Sequence, residues 1–240
     1  GHASSYARAR PRYPGALFEC LAGLCAGHEL AWDCATGNGQ AAGELASRFR
    51  RVIASDASEA QITAAAGIDG VEFRVAAAER SGLAAASVDL VTVAQALHWF
   101  DLDAFFDEAR RVLRPGGVLA YWCYGYCEIG AGCDELVRAL YAHVDDYWPP
   151  ERAMIERGYG DIRPPWPALT LPGFAMEVEW RVEQLLDYVA TWSACQRFRA
   201  ATGRDPLAPF VGRLAARWGA GSRLVRWPLS LTACRSPTNA

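Results

Sequence analysis

Residues Leu30–Gln40, with the sequence LAWDCATGNGQ, decide the fold of this chain. The stretch predicts a buried strand that breaks into a glycine turn, after which a helix begins near Gln40. Gly37 and Gly39 lack the Cβ atoms that would keep a ligand away from the backbone, and the first turn of a helix has unpaired N–H groups. This arrangement is typical of a site for a nucleoside cofactor.

Composition limits the class of protein. The 240 residues are 52% hydrophobic and 21% charged, which is enough for one sizeable core and favours a single α/β domain over residues 1–240. All 24 basic residues are arginine and the net charge is −3, so there is no basic field to hold a phosphate backbone, and we expect no nucleic-acid partner. No apolar run approaches the roughly 18 residues of a membrane-spanning helix, and no signal sequence begins the chain. We therefore expect a cytoplasmic protein without a membrane partner.

The eight cysteines raise the question of a metal site or a disulfide framework. Cys123, Cys127 and Cys133 lack the CxxC spacing of zinc sites, and the other cysteines are scattered in apolar surroundings. The sequence therefore predicts free, buried thiols and no bound metal.

Hydrophobic patterning predicts strands alternating with helices. One strand precedes the glycine turn, and six more are predicted at 51–56, 71–76, 88–94, 118–124, 176–182 and 224–233. Helices are predicted at 41–49, 58–66, 101–113, 133–147, 185–199 and 206–218, with Asp101 as an N-cap and Arg114–Gly117 ending the third helix. Most of these strands have few alternating polar residues, which is typical of a parallel sheet buried on both faces. Residues 3–28 are expected to form an N-terminal cap, and about 125–170 an insertion that serves as a lid.

The glycine turn alone does not identify the cofactor. Gly37, Gly39 and Ala42 also satisfy the GxGxxA form of the dinucleotide fingerprint, and Asp56 stands where a ribose-binding acid is expected. A carboxylate at a strand end can accept hydrogen bonds from two vicinal hydroxyls, although Asp56 could instead cap the next helix. An NAD(P)-dependent oxidoreductase therefore stays open on spacing alone.

A combination of motifs resembles the class I S-adenosylmethionine-dependent methyltransferases. It consists of Asp33, the turn Ala35–Gln40, the strand-end Asp56, the pair Ala78 and Glu79, and the run Arg111–Gly117. The octapeptide AQALHWFD at 94–101 further resembles small-molecule methyltransferases similar to trans-aconitate methyltransferase, as do the segments around 6–14 and 148–159. An oxidoreductase would leave the His98 and Trp99 motif unexplained, whereas a noncatalytic S-adenosylmethionine-binding protein would keep the cofactor motifs and lack turnover.

The resemblance implies a Rossmann-like fold, with a seven-stranded, mostly parallel sheet, an antiparallel last strand and helices on both faces. It also implies S-adenosylmethionine as cofactor, with Gly37 and Gly39 beside its methionine portion and Asp56 on its ribose hydroxyls. Ala57 would flank the adenine, and Asp33 would fix the turn near the positive charges. The residues assigned to the cofactor by this resemblance are Tyr6, Arg10, Asp33, Ala35, Thr36, Gly37, Asn38, Gly39, Gln40, Asp56, Ala57, Ala78, Glu79, Ala94 and Gln95.

The methyl acceptor is expected to be a small molecule, with a carboxylate favoured by the resemblance. His98 is a candidate general base because an imidazole exchanges protons near neutral pH, and a structural role or a cofactor contact is its alternative. Residues assigned to the acceptor are Tyr13, Trp99, Tyr124, Trp148, Arg152 and Tyr159, and Arg12, Arg157 and Arg163 are further candidates to clamp an anion. The protein is expected to be a monomer or a homodimer.

Overall fold

The computed structural model describes residues 11–130 and 132–238. Two compact units divide these residues. Unit 1 consists mainly of Gly125–Ala153 and Ala175–Pro228, and unit 2 consists of Tyr13–Tyr124, Met154–Phe174 and the chain from Leu229 onward. Unit 1 thus begins where the insertion is predicted to begin, whereas the second part of the predicted insertion belongs to unit 2.

Seven strands form one sheet in the order β3-β2-β1-β4-β5-β7-β6. They are β1 (Leu30–Cys34), β2 (Arg51–Asp56), β3 (Val71–Val75), β4 (Val88–Ala94), β5 (Leu113–Tyr124), β6 (Phe174–Trp180) and β7 (Arg223–Arg235). Parallel pairs join β1 to β2 and β4, β2 to β3, and β4 to β5, whereas β7 runs antiparallel to β5. The predicted fold class is confirmed, including the antiparallel last strand.

Nine α-helices are assigned within the described residues. They are α1 (Gly15–Leu24), α2 (Gln40–Ala46), α3 (Glu59–Ala65), α4 (Leu102–Val112), α5 (Cys133–His143), α6 (Arg152–Glu156), α7 (Val182–Ala190), α8 (Ser193–Thr202) and α9 (Val211–Trp218). Asp101 caps α4 as predicted, since its side chain accepts a hydrogen bond from the backbone N–H of Ala104.

The bounds of all six predicted helices differ from those in the structure, and three of them differ most. The helix at 133–147 ends at His143 and is followed by a separate 3-10 turn, Asp145–Tyr147. The helix at 185–199 is two helices, α7 and α8, because Thr191 closes the first and Trp192 leaves the helical region, with a ψ of 134°. The helix at 206–218 begins only at Val211.

The predicted turn Arg114–Gly117 is instead the irregular beginning of β5. The pairing of β4 with β5 shifts register between Val88 and Leu90, and Gly116 has a left-handed φ of +76°. The strand continues through this bulge because Leu113 already pairs with Val88.

Asp89 ties together the first residues of three strands. One carboxylate oxygen accepts the backbone N–H groups of Glu29 and Leu30, both at 2.9 Å, and the other accepts from the Arg114 guanidinium at 2.7 Å. Asp89 is 5% exposed, so these bonds satisfy a buried charge and fix the relative positions of β1, β4 and β5.

The structure also bears on the cysteines, on metal binding and on the membrane. All eight cysteines are free thiols and seven are buried; burial raises the pKa of Cys127 to about 12. Within residues 11–130 and 132–238, no cluster of three or more His, Cys, Asp or Glu side chains could hold a metal ion. In the same ranges, no helix is long and apolar enough to cross a membrane.

Candidate functional site

The predicted cofactor residues of unit 2 gather at the carboxyl ends of β1, β2 and β4. The strand order reverses at β1, which lies between β2 and β4. From β1, the sheet extends on one side through β2 and β3 and on the other side through β4 and β5. In open α/β sheets, ligands bind at this reversal, in the crevice outside the carboxyl ends of the strands. Tyr6 and Arg10, which were also predicted to bind the cofactor, lie outside the described residues.

Asp33 is a buried acid at the end of β1. One carboxylate oxygen accepts from the Thr36 hydroxyl at 2.6 Å, and the other accepts from the Thr92 hydroxyl of β4 at 2.8 Å. Burial raises the pKa of Asp33 to about 6, although the hydrogen bonds from Thr36 and Thr92 act in the opposite direction. Asp33 therefore joins β1, β4 and the glycine turn. Sequence reasoning missed Thr92, although a polar residue inside the apolar run of β4 could have indicated it.

The two glycines of the turn serve different purposes. Both have left-handed backbones, with φ of +56° at Gly37 and +79° at Gly39. A Cβ on Gly37 would meet no atom within 4 Å, so this position faces open space that a ligand can enter. A Cβ on Gly39 would lie 2.7 Å from Ile68 Cδ1 and 3.3 Å from the Phe73 ring. The structure thus gives Gly39 a packing reason that is separate from any ligand.

Asp56 connects the end of β2 to the glycine turn. Its Oδ2 accepts the Gly37 N–H at 3.0 Å, and its Oδ1 accepts the Ser58 N–H at 2.9 Å. The alternative that Asp56 caps the next helix is wrong, because Ser58 is the N-cap of α3 and accepts from Gln61. A carboxylate has about four acceptor positions, so Asp56 keeps the capacity to bind two hydroxyls.

The loops after β2 and β3 hold the other residues assigned to the adenine. Ala57 is exposed directly after Asp56, whereas Ala78 is buried. Glu79 accepts the Asp101 N–H at 3.1 Å, which links the loop after β3 to the start of α4. These residues flank the end of β2 from which Asp56 projects.

Gln95 holds the ends of β4 and β5 together. Its backbone is left-handed, with a φ of +57°. Its side-chain Oε1 accepts the Tyr124 N–H at 2.8 Å and its Nε2 donates to the Tyr124 carbonyl at 3.1 Å. The amide of this predicted cofactor residue is therefore engaged by the protein backbone, directly after Ala94.

His98 lies in a buried 3-10 turn, Leu97–Trp99, beyond the end of β4. Its Nδ1 is 2.8 Å from the hydroxyl oxygen of Tyr159, and its ring lies 4.6 Å from that of Trp99, which is 60% exposed. Tyr13 and Tyr124 form a second aromatic contact in unit 2, with ring centroids 6.4 Å apart. Of the residues assigned to the acceptor, Trp99 and Tyr159 thus both contact His98, and Tyr13 and Tyr124 contact each other.

Trp148 and Arg152 belong to an aromatic cluster within unit 1. Tyr141 stacks on Trp148 with ring centroids 4.7 Å apart, and the Arg152 guanidinium lies 4.8 Å from the Trp148 centroid. Arg152 Nε also donates to the Tyr141 hydroxyl at 2.9 Å. Sequence reasoning missed Tyr141, which lies a full helix turn or more before its partners and carries no motif.

The other candidate arginines are differently placed. Arg157 forms an ion pair with Asp161. Arg12 and Arg163 are exposed. Among the four arginines considered for an anion, Arg152 alone is held against aromatic rings within the part of the chain that the structure describes.

Several known proteins are similar to this chain. A family model described as a methyltransferase domain matches residues 32–121. A methyltransferase of Dictyostelium discoideum is 37% identical over 208 residues, which cover 85% of this chain and 79% of the relative. The methyltransferase gedG of Aspergillus terreus is 36% identical over 136 residues, which cover 51% of this chain and 40% of gedG.

A solved structure described as a type II methyltransferase from Anaeromyxobacter dehalogenans has a TM-score of 0.90 and 42% identity, over 96% of this chain and 99% of that one. The described residues also fit the methyl donor of this family, since Gly37 leaves open space beside the Asp56 carboxylate. The chain belongs to the class I S-adenosylmethionine-dependent methyltransferases, and S-adenosylmethionine is its cofactor.

Proposed function

We propose that the enzyme transfers the methyl group of S-adenosylmethionine to a small-molecule acceptor that carries an anionic group, with a carboxylate favoured. The observation that carries the cofactor part of the proposal is the hydrogen bond from Gly37 to Asp56, which places a carboxylate beside the open face of the glycine turn. When bound, the cofactor supplies a methyl group attached to a sulfonium, and the thioether that remains is a good leaving group. Alignment and exclusion of water can then supply much of the acceleration.

Asp56 is proposed to hold the two ribose hydroxyls. Its two oxygens each accept one backbone N–H, so the carboxylate is fixed in direction before a ligand arrives. Charged acceptors make hydrogen bonds about twice as strong as neutral ones, and two vicinal hydroxyls match a carboxylate. Ala57, exposed next to it, leaves room for the adenine.

Asp33 is proposed to stabilise the turn that receives the methionine portion of the cofactor. Its bonds to Thr36 and Thr92 keep the end of β1 in register with β4. Because burial raises the pKa of Asp33 to about 6, a cationic ligand near the turn favours the ionised form. Cofactor binding should therefore release protons at slightly acidic pH.

Arg152 is proposed to recognise the anionic group of the acceptor. Its guanidinium is restrained by two aromatic rings and by the Tyr141 hydroxyl, and among the described residues no carboxylate lies within ion-pair distance. A preorganised guanidinium without a carboxylate partner is suited to a planar anion, because its N–H groups can bind both oxygens. Trp148 Nε1, which is buried and has no hydrogen-bond partner among the described residues, is a further donor in the same cluster.

Two experiments test this function in sequence. Calorimetry with S-adenosylhomocysteine should show one site per chain. Turnover is then measured as release of S-adenosylhomocysteine with a panel of carboxylic acids, phenols and amines, each with and without a second anionic group. We expect activity with anionic members, and methylation of neutral phenols or amines alone would contradict the anionic acceptor.

A substitution pair tests the role of Arg152. Arg152→Met keeps most of the apolar stem and removes the charge, so the KM for the anionic acceptor should rise while kcat changes little. Arg204→Met is the matched control, because Arg204 is exposed and is not among the arginines considered for the anion. Equal KM values in the two variants would remove Arg152 from acceptor binding.

A further inference from the structure

A charged residue lies among the buried residues of α4. Phe105, Phe106, Ala109 and Val112 form the apolar face of this helix, and Glu108, which is 8% exposed, lies beside them. A buried carboxylate destabilises the fold unless hydrogen-bond donors compensate its charge. Glu108 therefore needs several donors, and their positions show what this side chain holds in place.

Four donor groups of the described residues surround the Glu108 carboxylate. Oε1 accepts the backbone N–H of Ser81 at 2.8 Å and the Ser81 hydroxyl at 2.5 Å, a distance found for hydroxyls bound to a charged oxygen. Arg111, one helix turn further along, donates to both oxygens, each at 2.7 Å. The hydrogen bonds from Arg111 lower the pKa of Glu108 to about 2, so the carboxylate is ionised at neutral and mildly acidic pH.

Ser81 belongs to the loop 76–87 between β3 and β4, which also carries Ala78 and Glu79, the residues assigned to the adenine. Ser81 is buried, and its hydroxyl oxygen also accepts the Leu83 N–H at 3.1 Å. The neighbouring Ala78 and Leu83 are buried in the core cluster that α4 helps to form. The Ser81 hydroxyl thus donates to α4 and accepts from its own loop.

Backbone hydrogen bonds fix both ends of the loop 76–87. At its start, the Ala76 N–H donates to the carbonyl of Asp56 at 3.0 Å. At its end, the N–H groups of Ala86 and Ser87 donate to carbonyls in the last turn of α4, at 2.9 and 2.8 Å. The middle of the loop, where the residues assigned to the adenine lie, depends instead on side-chain contacts.

Two side-chain hydrogen bonds connect the middle of the loop to α4 and its N-cap. Glu79 accepts the N–H of Asp101 at 3.1 Å, and this bond is exposed. Ser81 and Glu108 make the other contact, which is buried. Both involve a carboxylate, but water competes with the exposed bond and cannot readily replace the buried one. The buried contact therefore contributes more to the position of Glu79, which lies two residues before Ser81.

We propose that Ser81 and Glu108 are positioning residues for cofactor recognition, which hold the loop 76–87 so that Glu79 accepts a hydrogen bond from the exocyclic amine of adenine. This inference rests on the proposed function, in which Asp56 binds the ribose, and it gives a role to two residues that contact neither cofactor nor acceptor. A carboxylate accepts from an amine and repels the carbonyl oxygen that hypoxanthine carries in its place. The contact therefore determines the preference for an adenine base.

Two product analogues separate this role from a general structural one. S-adenosylhomocysteine carries the exocyclic amine, and S-inosylhomocysteine carries a carbonyl oxygen at the same position. In calorimetry, the wild type should bind the adenosine compound about ten- to a hundredfold more tightly, the range for a hydrogen bond to a charged group. In Ser81→Ala, affinity for the adenosine compound should fall roughly three- to tenfold, whereas affinity for the inosine compound should change less than about twofold.

Ser87→Ala is the matched control. Ser87 belongs to the same loop, but its hydroxyl donates within the loop, to the Ala84 carbonyl at 2.7 Å. Both affinities of this variant should equal those of the wild type. Glu108→Gln keeps the shape and an acceptor oxygen but loses the charge, so it should lower the preference for the adenosine compound in the same direction as Ser81→Ala. Because Ser81 acts through Glu108, the double variant should lose less preference than the two single effects combined.

Hydrogen exchange measured by mass spectrometry gives a readout without a ligand. Peptides from the loop 76–87 should exchange faster in Ser81→Ala than in the wild type, while peptides from β1 exchange equally in both proteins. Equal exchange of the loop in both proteins would overturn the inference.

The two affinities distinguish failure of the inference from failure of the proposed function. An equal loss of affinity for both compounds in Ser81→Ala would make the contact merely structural, and unchanged affinities would remove it from base recognition. A wild type that binds both compounds equally would show that Glu79 does not bind the amine. Each of these results overturns the inference and leaves the proposed function standing. A wild type that binds neither compound would instead refute the proposed function.

Discussion

Replacing Asp33 with asparagine is expected to stabilise the protein at neutral pH. The carboxylate is 1% exposed, and burial holds its pKa at about 6, roughly two units above the ordinary value of 3.8. One unit corresponds to about 1.4 kcal/mol, so ionised Asp33 destabilises the folded state by up to about 3 kcal/mol. Asparagine keeps the shape and stays neutral, and the hydroxyls of Thr36 and Thr92 can rotate to suit its oxygen and its NH₂ group.

The direction of the pKa shift of Asp33 determines the pH range over which the substitution changes stability. A carboxyl whose pKa is higher in the folded state than in the unfolded state stabilises the fold fully below about pH 4, and this stabilisation is lost as the pH rises through about 6. The difference between Asp33→Asn and wild type should therefore be small near pH 4, grow between pH 4 and 6, and become constant above pH 7. Comparing the two proteins cancels the other titrating groups.

Urea unfolding followed by tryptophan fluorescence at closely spaced pH values measures this difference. Asp69→Asn, at an exposed position, shows what the same substitution does outside the core. A difference between Asp33→Asn and wild type that does not change from pH 4 to 8 would refute the reasoning. A variant that is less stable than wild type above pH 7 would also refute it, because the buried charge would then be compensated by its hydrogen bonds.

Four further substitutions test the site and its support. Asp56→Ala should weaken S-adenosylhomocysteine binding by about 1.5–3 kcal/mol in calorimetry, since two hydrogen bonds to a charged group are lost; unchanged affinity would remove Asp56 from the site. Gly37→Val should abolish binding and, because its backbone is left-handed, lower the free energy of unfolding by about 1–2 kcal/mol. Gly39→Ala adds overpacking to the same backbone strain and should lower it by about 2–5 kcal/mol; a Gly39→Ala variant as stable as Gly37→Val would remove the packing role of Gly39. Asp89→Ala should destabilise the fold by about 3–5 kcal/mol because the Arg114 guanidinium and two backbone N–H groups lose their partner, and a loss below 1 kcal/mol would show that water replaces it.

The strands of the sheet could be predicted because each strand is indicated by residues close together in the sequence. The strand 118–124 is a continuous apolar run, the strand 88–94 is apolar apart from Asp89 and Thr92, and β1 ends in a glycine turn, so each strand can be recognised within a short window. Helix ends were less predictable. The break between α7 and α8 falls at Trp192, whose ring packs against Tyr141 and Trp148 in unit 1. The amphipathic pattern of the sequence continues through this position. The sequence pattern therefore does not mark the break between the two helices, which coincides with the tertiary contact of Trp192.

The sequence predicted which residues form the candidate site but not which contacts hold them in place. Gly37 and Asp56 were predicted from residue type and spacing, and Asp33 from the resemblance to methyltransferases. In the structure, Asp56 accepts the Gly37 N–H and Asp33 accepts the hydroxyl of the neighbouring Thr36. The two glycines could not be separated, because the requirement at Gly39 comes from Ile68 and from Phe73 on β3. These residues are far from Gly39 in the sequence, so the spacing of the glycine motif does not reveal the contacts.

Backbone conformation was the least predictable part of the site. Four non-glycine residues among those described are left-handed. Three of them, Ala35, Gln95 and Tyr159, are predicted site residues, and the fourth, Ala86, lies just before β4. Glycine would adopt each conformation without strain, so the contacts that each of these side chains makes are of interest. Gln95 uses its amide to hold Tyr124, and Tyr159 uses its hydroxyl to hold His98. Nothing in the structure gives the methyl group of Ala35 such a task. At Gln95 and Tyr159, the left-handed backbone coincides with a side-chain hydrogen bond to another predicted site residue, Tyr124 and His98 respectively, and no sequence motif could have indicated these contacts.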